Sequence, residues 1–243
     1  MNATTAAHPS ERLLVELFGE EHAVVRQGKL LAGTASVDGQ TVTVIGTTDQ
    51  AHIGVDLALA MSRRVLDTMR SAPGRPIVLI VDNSGQRLSR WDELMGNNGC
   101  IAHLTKCLDA ARRGGHRVIG LVHTLAISGG FMATGMATGA CYALPDAELR
   151  LMAPSAMSRV TRIPEERLVE LSRSLPVLGP GVVNFVRIGG LHGVFADDLR
   201  AELAKALSHV DAEDDPRRRL GAERGGRPHA LEIAVAVRSG VVA

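Results

Sequence analysis

The sequence predicts an α/β protein built on a mostly parallel sheet, and three observations carry that prediction. Two runs, "PIVLIVD" (Pro76 to Asp82) and "RVIGLVH" (Arg117 to His123), are continuously apolar, as strands buried on both faces are. Segments with apolar residues at helical spacing alternate with them. Aromatic residues make up 2% of a chain that is 45% hydrophobic, so the core must be built from Ala, Val, Leu and Ile. Such side chains suit helices packed closely on a sheet.

Each element follows in order. Residues 10–21, "SERLLVELFGEE", predict a short amphipathic helix capped by Ser10. The next stretch, "HAVVRQGKLLAGTASVDGQTVTVIG", reads as strands separated by turns, with Asp38-Gly39 at a hairpin position. Residues 52–71 place Ile53, Leu57, Ala60, Met61, Val65, Leu66 and Met69 at helical spacing, and Pro73-Gly74 ends that helix. After the strand at 76–82, "NSGQ" reads as a turn, and residues 91–113 return to helical spacing. The second buried strand leads into a helix of small residues over 130–139. "CYALP" and "AELRLMAP" predict two further short strands. "EERLVELSRSL" is helical, "GPG" (Gly179 to Gly181) is a break, and "DDLRAELAKAL" is another helix.

The order is a hairpin layer followed by strand–helix units, whose short crossovers imply right-handed connections. Residues 1–210 are expected to form one domain. Residues 211–243 read as a charged surface segment ending in a docking element, "ALEIAVAVRSG".

Lys and Arg number 27 against 26 Asp and Glu, a net charge of +1, which argues against nucleic-acid and membrane-surface partners. Cys100, Cys107 and Cys141 lack zinc-like spacing, so no metal site is expected and the thiols read as reduced. The N-terminus shows no basic stretch followed by an apolar run, and no segment approaches the roughly 20 apolar residues of a membrane span. A cytoplasmic protein is the expectation.

One stretch raises the functional question: "HTLAISGGFMATGMATG", His123 to Gly139, puts a glycine pair after an apolar strand. Gly130 and Gly135 stand at the two glycine positions of a phosphate-binding loop, but Met136-Ala137 replaces the lysine and hydroxyl residue that would hold the phosphates. Ser128 follows a strand, as a serine nucleophile would, yet "AISGG" lacks the glycine two residues earlier that a nucleophile elbow requires. A triad would have to recruit His123 or His103. Packing explains Ala133, Gly135, Ala137 and Gly139, whose i, i+4 spacing gives narrow helix faces. It leaves Gly129 and Gly130 unexplained. An anion site of peptide N–H groups accounts for those two, because a helix start leaves amides without intrahelical partners and glycine lets an oxygen approach them.

These motifs resemble the carboxyltransferase branch of the crotonase superfamily. The residues carrying the likeness are Asp82 to Gly85 at a strand end, Gly129-Gly130-Phe131 at a helix start, Pro145 to Glu148, and Met152-Ala153-Pro154. Within that branch, "IGVDLALAMSRRVLDTM" and "DELMGNNGCIAHLTKCLDAAR" are similar to the gamma subunits of biotin-independent malonate decarboxylases. The likeness covers about residues 10–205. Phe131 departs from the usual Ala and Ala153 from the usual Gly; the Phe side chain is expected to narrow the space beside the site.

The resemblance implies a crotonase-like spiral of ββα units and a decarboxylase subunit active only in a complex. It implies a beta-subunit partner sharing the active site, an acyl-carrier subunit and an acyl-carrier transferase alpha subunit. The reaction would convert a malonyl thioester to an acetyl thioester and carbon dioxide. The substrate would ride on the carrier's phosphoribosyl-dephospho-CoA arm, with no cofactor bound to this chain. The amides of Gly130 and Phe131, helped by Gly129, would bind a substrate oxygen. Asn83, Ser84 and Gln86 would line the pocket, or else form a solvated turn, and Ser128 would lie beside them. Arg159 and Arg162 would meet a carboxylate or the carrier's phosphates, or else be surface arginines. His123 would protonate the carbanion, or else be a satisfied buried histidine, while Trp91 and Met95 read as core or interface. Two rival readings remain: a non-catalytic subunit completing its partner's pocket, and a serine hydrolase of the same fold.

Overall fold

The computed structural model describes residues 7–209, 215–227 and 229–240. Helix α1 (Pro9–Phe18) precedes β1 (Val25–Gln27), β2 (Leu30–Val37), β3 (Gln40–Thr47) and β4 (Ala51–Ile53). Then come α2 (Val55–Ser71), β5 (Ile77–Gln86), α3 (Arg90–Leu94), α4 (Asn97–Arg113), β6 (Val118–Ile127) and α5 (Ser128–Ala133). The remainder is β7 (Ala140–Ala143), β8 (Glu148–Arg150), α6 (Pro154–Thr161), α7 (Glu165–Ser174), α8 (Val182–Arg187), β9 (Gly193–Val194), α9 (Leu199–Ser208), α10 (Arg217–Glu223) and α11 (Ala230–Ser239).

The main ladder runs β1-β2-β3-β5-β6-β7-β9, antiparallel through β3 and parallel beyond it. Alternation along β5 explains the layers. Ile77, Leu79 and Val81 face a core shared with Met61 and Val65 of α2 and Leu104 and Leu108 of α4. Val78 and Ile80 face the opposite core, with Leu13, Leu14 and Leu17 of α1 and Leu203 of α9. The sheet is thus buried on both sides, as the unbroken apolar runs require.

Past Val81 the central strands exchange neighbours. β5 pairs with β3 through Ile80, then with β4, Ala51 opposite Asn83 and Ile53 opposite Gln86. β6 pairs with β7 through Val122, then with β8 from Leu125 to Ile127. A second, smaller ladder β4-β5-β6-β8 therefore caps the main one at its carboxyl end.

Several expectations need correction. The α1 cap is His8, whose ring accepts the Ser10 N–H, and Ser10 lies buried inside the helix. "NSGQ" is not a turn but the last part of β5, because β4 and β6 pair with it on either side. The helix expected over 91–113 is two helices, broken where Gly96 takes a left-handed backbone. The small-residue helix is α5, six residues long, followed by a separate 3-10 turn at Gly135–Ala137. Gly135 and Gly139 are still packing positions: a Cβ would lie 2.5 Å from Phe131 Cε2 at the first and 3.3 Å from Arg112 Cδ at the second.

The charged C-terminal segment is partly built into the fold. Residues 210–214 and 228 lie outside the described ones. Arg224 donates to the carbonyls of Val186, Leu191 and His192, and Arg217 to that of Thr138. Gly221 and Gly226 let α10 approach so closely that a Cβ would stand 2.5 Å from Ile188 O and 2.1 Å from Arg187 O.

Candidate active site

The carboxyl ends of β4, β5, β6 and β8 converge at the second ladder, and the glycine pair sits there. Helix α5 starts at Ser128 with Ile127 as its cap. The amides of its first turn belong to Ser128, Gly129, Gly130 and Phe131. Phe131 closes that turn with its backbone. Its ring points away from the site, fully buried and edge-on to Phe185 at 5.7 Å, so it does not narrow the adjacent space.

The geometry dictates both glycines. At Gly130 a Cβ would lie 2.5 Å from Asn83 Oδ1 and 2.8 Å from Gly85 Cα, so only a bare backbone fits beneath β5. At Gly129 the surroundings are open, with Gln86 Oε1 at 4.0 Å the single atom in contact range. Ser128, before them, has φ of +53°, a left-handed backbone that a side chain adopts at some cost. That kink turns the chain from β6 into α5.

The strand residues divide. Gln86 reaches the open side beside Gly129. Ser84 donates to the Gln50 carbonyl at 3.0 Å, joining β5 to the turn before β4. Asn83 is fully buried and does not line a pocket; its amide donates to Thr134 Oγ1 at 3.3 Å. Arg159 and Arg162 are exposed at the far end of α6. Trp91 and Met95 are exposed too, which excludes the core.

His123 lies on the other face of the sheet. It alternates with Leu121 toward α1, and its electrostatic neighbours are Asp82, Glu16, His8 and Arg12. Burial holds its imidazole below the ordinary range, partly offset by Asp82. Its Nδ1 is buried without a hydrogen-bond partner. Burial likewise raises the Asp82 carboxyl, although Oδ2 accepts the Gln50 N–H at 3.1 Å. His123 is therefore poorly placed to serve the amides across the sheet. The hydrolase reading loses its base by the same observation, since His123 faces away and His103 Nε2 sits 3.5 Å from Cys107 Sγ.

Sequence reasoning missed one cluster. Arg87, just after β5, grips Asp92 through Nε–Oδ2 at 2.6 Å and Nη2–Oδ1 at 2.8 Å, and reaches Asp56 at 2.9 Å. Asp92 is 1% exposed and also accepts the Val55 N–H at 3.0 Å, tying α2 and α3 to the end of β5. Arg87 holds its carboxyl far below the usual range. The signal was present: Ser89-x-x-Asp92 is an acid-bearing cap pattern, and Ser89 accepts the Asp92 N–H at 3.0 Å. Among the described residues no group of three or more His, Cys, Asp or Glu could hold a metal ion. No helix among them is long and apolar enough to cross a membrane.

Comparison with known proteins adds to this geometry. A family model described as malonate decarboxylase gamma subunit matches residues 48–241. A malonyl-S-ACP:biotin-protein carboxyltransferase, MADD, of Malonomonas rubra is 28% identical over 229 residues, covering 81% of this chain and 78% of that protein. A chain of a Pseudomonas malonate decarboxylase hetero-tetramer, crystallised with coenzyme A, superposes with a TM-score of 0.79 at 25% identity, covering 94% of this chain and 98% of its own. A chain of transcarboxylase 12S, at 18% identity and a TM-score of 0.68, covers 83% of this chain and 42% of its own, and shares the fold. The architecture is that of the crotonase-fold carboxyltransferases.

Proposed function

The chain belongs to the malonate decarboxylase gamma subunit family, and we propose from that premise that it forms half of a decarboxylating site completed by a beta subunit. The substrate is a malonyl thioester presented on an acyl-carrier subunit's phosphoribosyl-dephospho-CoA arm, which an acyl-carrier transferase alpha subunit loads. The products are the acetyl thioester and carbon dioxide.

In this reaction the bond between the carboxylate carbon and the α-carbon breaks. Its electron pair moves toward the thioester carbonyl, giving an enolate that takes a proton at carbon. Donors fixed where charge develops lower such a barrier, and one oxyanion donor is worth about 2.7–4 kcal/mol. The observation that carries the reading is the first turn of α5, which presents the amides of Ser128, Gly129, Gly130 and Phe131, with open space over Gly129. They are placed to hold a substrate oxygen, of the enolate or of the departing carboxylate, while Gln86 flanks the approach. Ser128 acts through its backbone. Arg159 and Arg162 stand away on α6, suited to the phosphates of the carrier arm.

Exposed apolar side chains support the shared-site architecture. Leu88 (82% exposed), Trp91, Leu94 (76%) and Met95 follow β5, Met132 lies on α5 after β6, and Leu151 and Met152 follow β8. All leave the same end of the second ladder, and apolar surface of this kind marks a protein interface. The three cysteines are unpaired, which suits work in a reducing cytoplasm.

The test is Gly129→Val in the complex assembled with its partner subunits. The new side chain meets open space, so assembly and thermal stability should stay at wild-type levels while turnover falls at least tenfold. Unchanged turnover would favour a gamma chain that only completes its partner's pocket.

A further inference from the structure

Helix α5 is too short to hold its own position. It spans six residues, far fewer than an isolated helix needs. It also ends abruptly. The Thr134 N–H bonds to Phe131 O at 3.2 Å rather than to Gly130 O, so the Gly130 carbonyl lacks the amide partner a longer helix would provide. The Thr134 hydroxyl supplies one instead, donating to Gly130 O at 2.7 Å.

The same hydroxyl oxygen accepts the Asn83 amide at 3.3 Å, and Asn83 Oδ1 accepts the Gly85 N–H at 3.4 Å. Asn83 is fully buried and Thr134 is 1% exposed. A chain of side-chain hydrogen bonds thus runs from the strand backbone at Gly85, through Asn83 and Thr134, to the Gly130 carbonyl. Over that chain Gly130 presses against β5 without room for a Cβ.

We propose that Asn83 and Thr134 are positioning residues that lock α5 to β5 and so fix where the amides of Ser128, Gly129 and Gly130 point. The catalytic part of this inference rests on the amide reading above. The clamp has its own structural readout, amide hydrogen exchange in the peptide spanning residues 125–134, measured by mass spectrometry on the assembled complex.

Thr134→Val keeps the shape and removes the hydroxyl, while Thr134→Ser keeps the hydroxyl. The expected result for Thr134→Val is exchange accelerated at least tenfold in that peptide. Its kcat falls about tenfold or more with KM near wild type, the signature of misplaced transition-state donors. Thr134→Ser restores both. Asn83→Ser, which removes the amide bridge while leaving Thr134 intact, should produce the same changes to a smaller degree. Faster exchange with unchanged turnover would uphold the clamp and refute the amide role. Unchanged exchange in Thr134→Val would overturn the clamp whatever the turnover, as would a loss that Thr134→Ser reproduces in full.

Discussion

Gly130 and Asn83 occupy one space: a Cβ on the glycine would stand 2.5 Å from the Oδ1 of the asparagine. Neither partner can move cheaply, because Asn83 is held at both ends of its amide and Gly85 Cα closes the other side at 2.8 Å. Gly130→Ala should therefore cost about 1–3 kcal/mol, the range for overpacking. Gly129→Ala, facing open space one residue away, should stay within about 0.5 kcal/mol of wild type. Urea unfolding of the two variants side by side decides this.

The grip of Arg87 on Asp92 should show in a double-mutant cycle. Arg87→Met leaves a buried carboxylate without its countercharge, whereas Arg87→Met combined with Asp92→Leu removes both charges. The single variant should melt at a lower temperature than the double. Asp92 has a depressed pKa, so its contribution is complete above the ordinary carboxylate value of 3.8 and is lost only as pH falls through the lowered folded value. Equal melting temperatures would refute the coupling.

His123 supplies a pH dependence of definite sign. Its folded pKa lies below 6.5, so on acidification the unfolded chain takes up this proton first. Stability should fall as pH drops below 6.5, by at most about 1.4 kcal/mol per pH unit from this one group. Asp82 acts oppositely: its raised pKa lets the folded state bind a proton sooner in acid. His123→Asn should flatten the decline between pH 7 and pH 5.5, which denaturant titrations across that window would measure.

Arg224 ties three carbonyls of the chain before β9 to the C-terminal segment. Arg224→Met leaves them short of a charged donor and should cost about 1.5–3 kcal/mol. The same measurement on a chain ending at residue 214 should show a larger loss. Wild-type stability in either would mean that α10 is dispensable.

Much of the fold was legible because its core strands are apolar without interruption, a pattern that burial on both faces imposes. What escaped was decided by contacts distant in sequence. Asn, Ser, Gly and Gln at 83–86 have turn preferences, yet β4 and β6 supply partners that override them. The glycine pair was legible as a candidate site, but the start of α5 was not, since nothing in the spacing says that Ser128 takes a left-handed backbone. His123 was misplaced for a related reason. Period-two alternation gives the face only once the strand's neighbours are known, and those include α1, more than a hundred residues earlier. The arginines of α10 looked like solvated charge because carbonyl partners carry no signature in a sequence.

The exchange of neighbours along β5 and β6 makes the sheet two-tiered. Only those two strands run through both tiers, so the backbone link between the tiers narrows to β5 and β6 near Asp82 and His123.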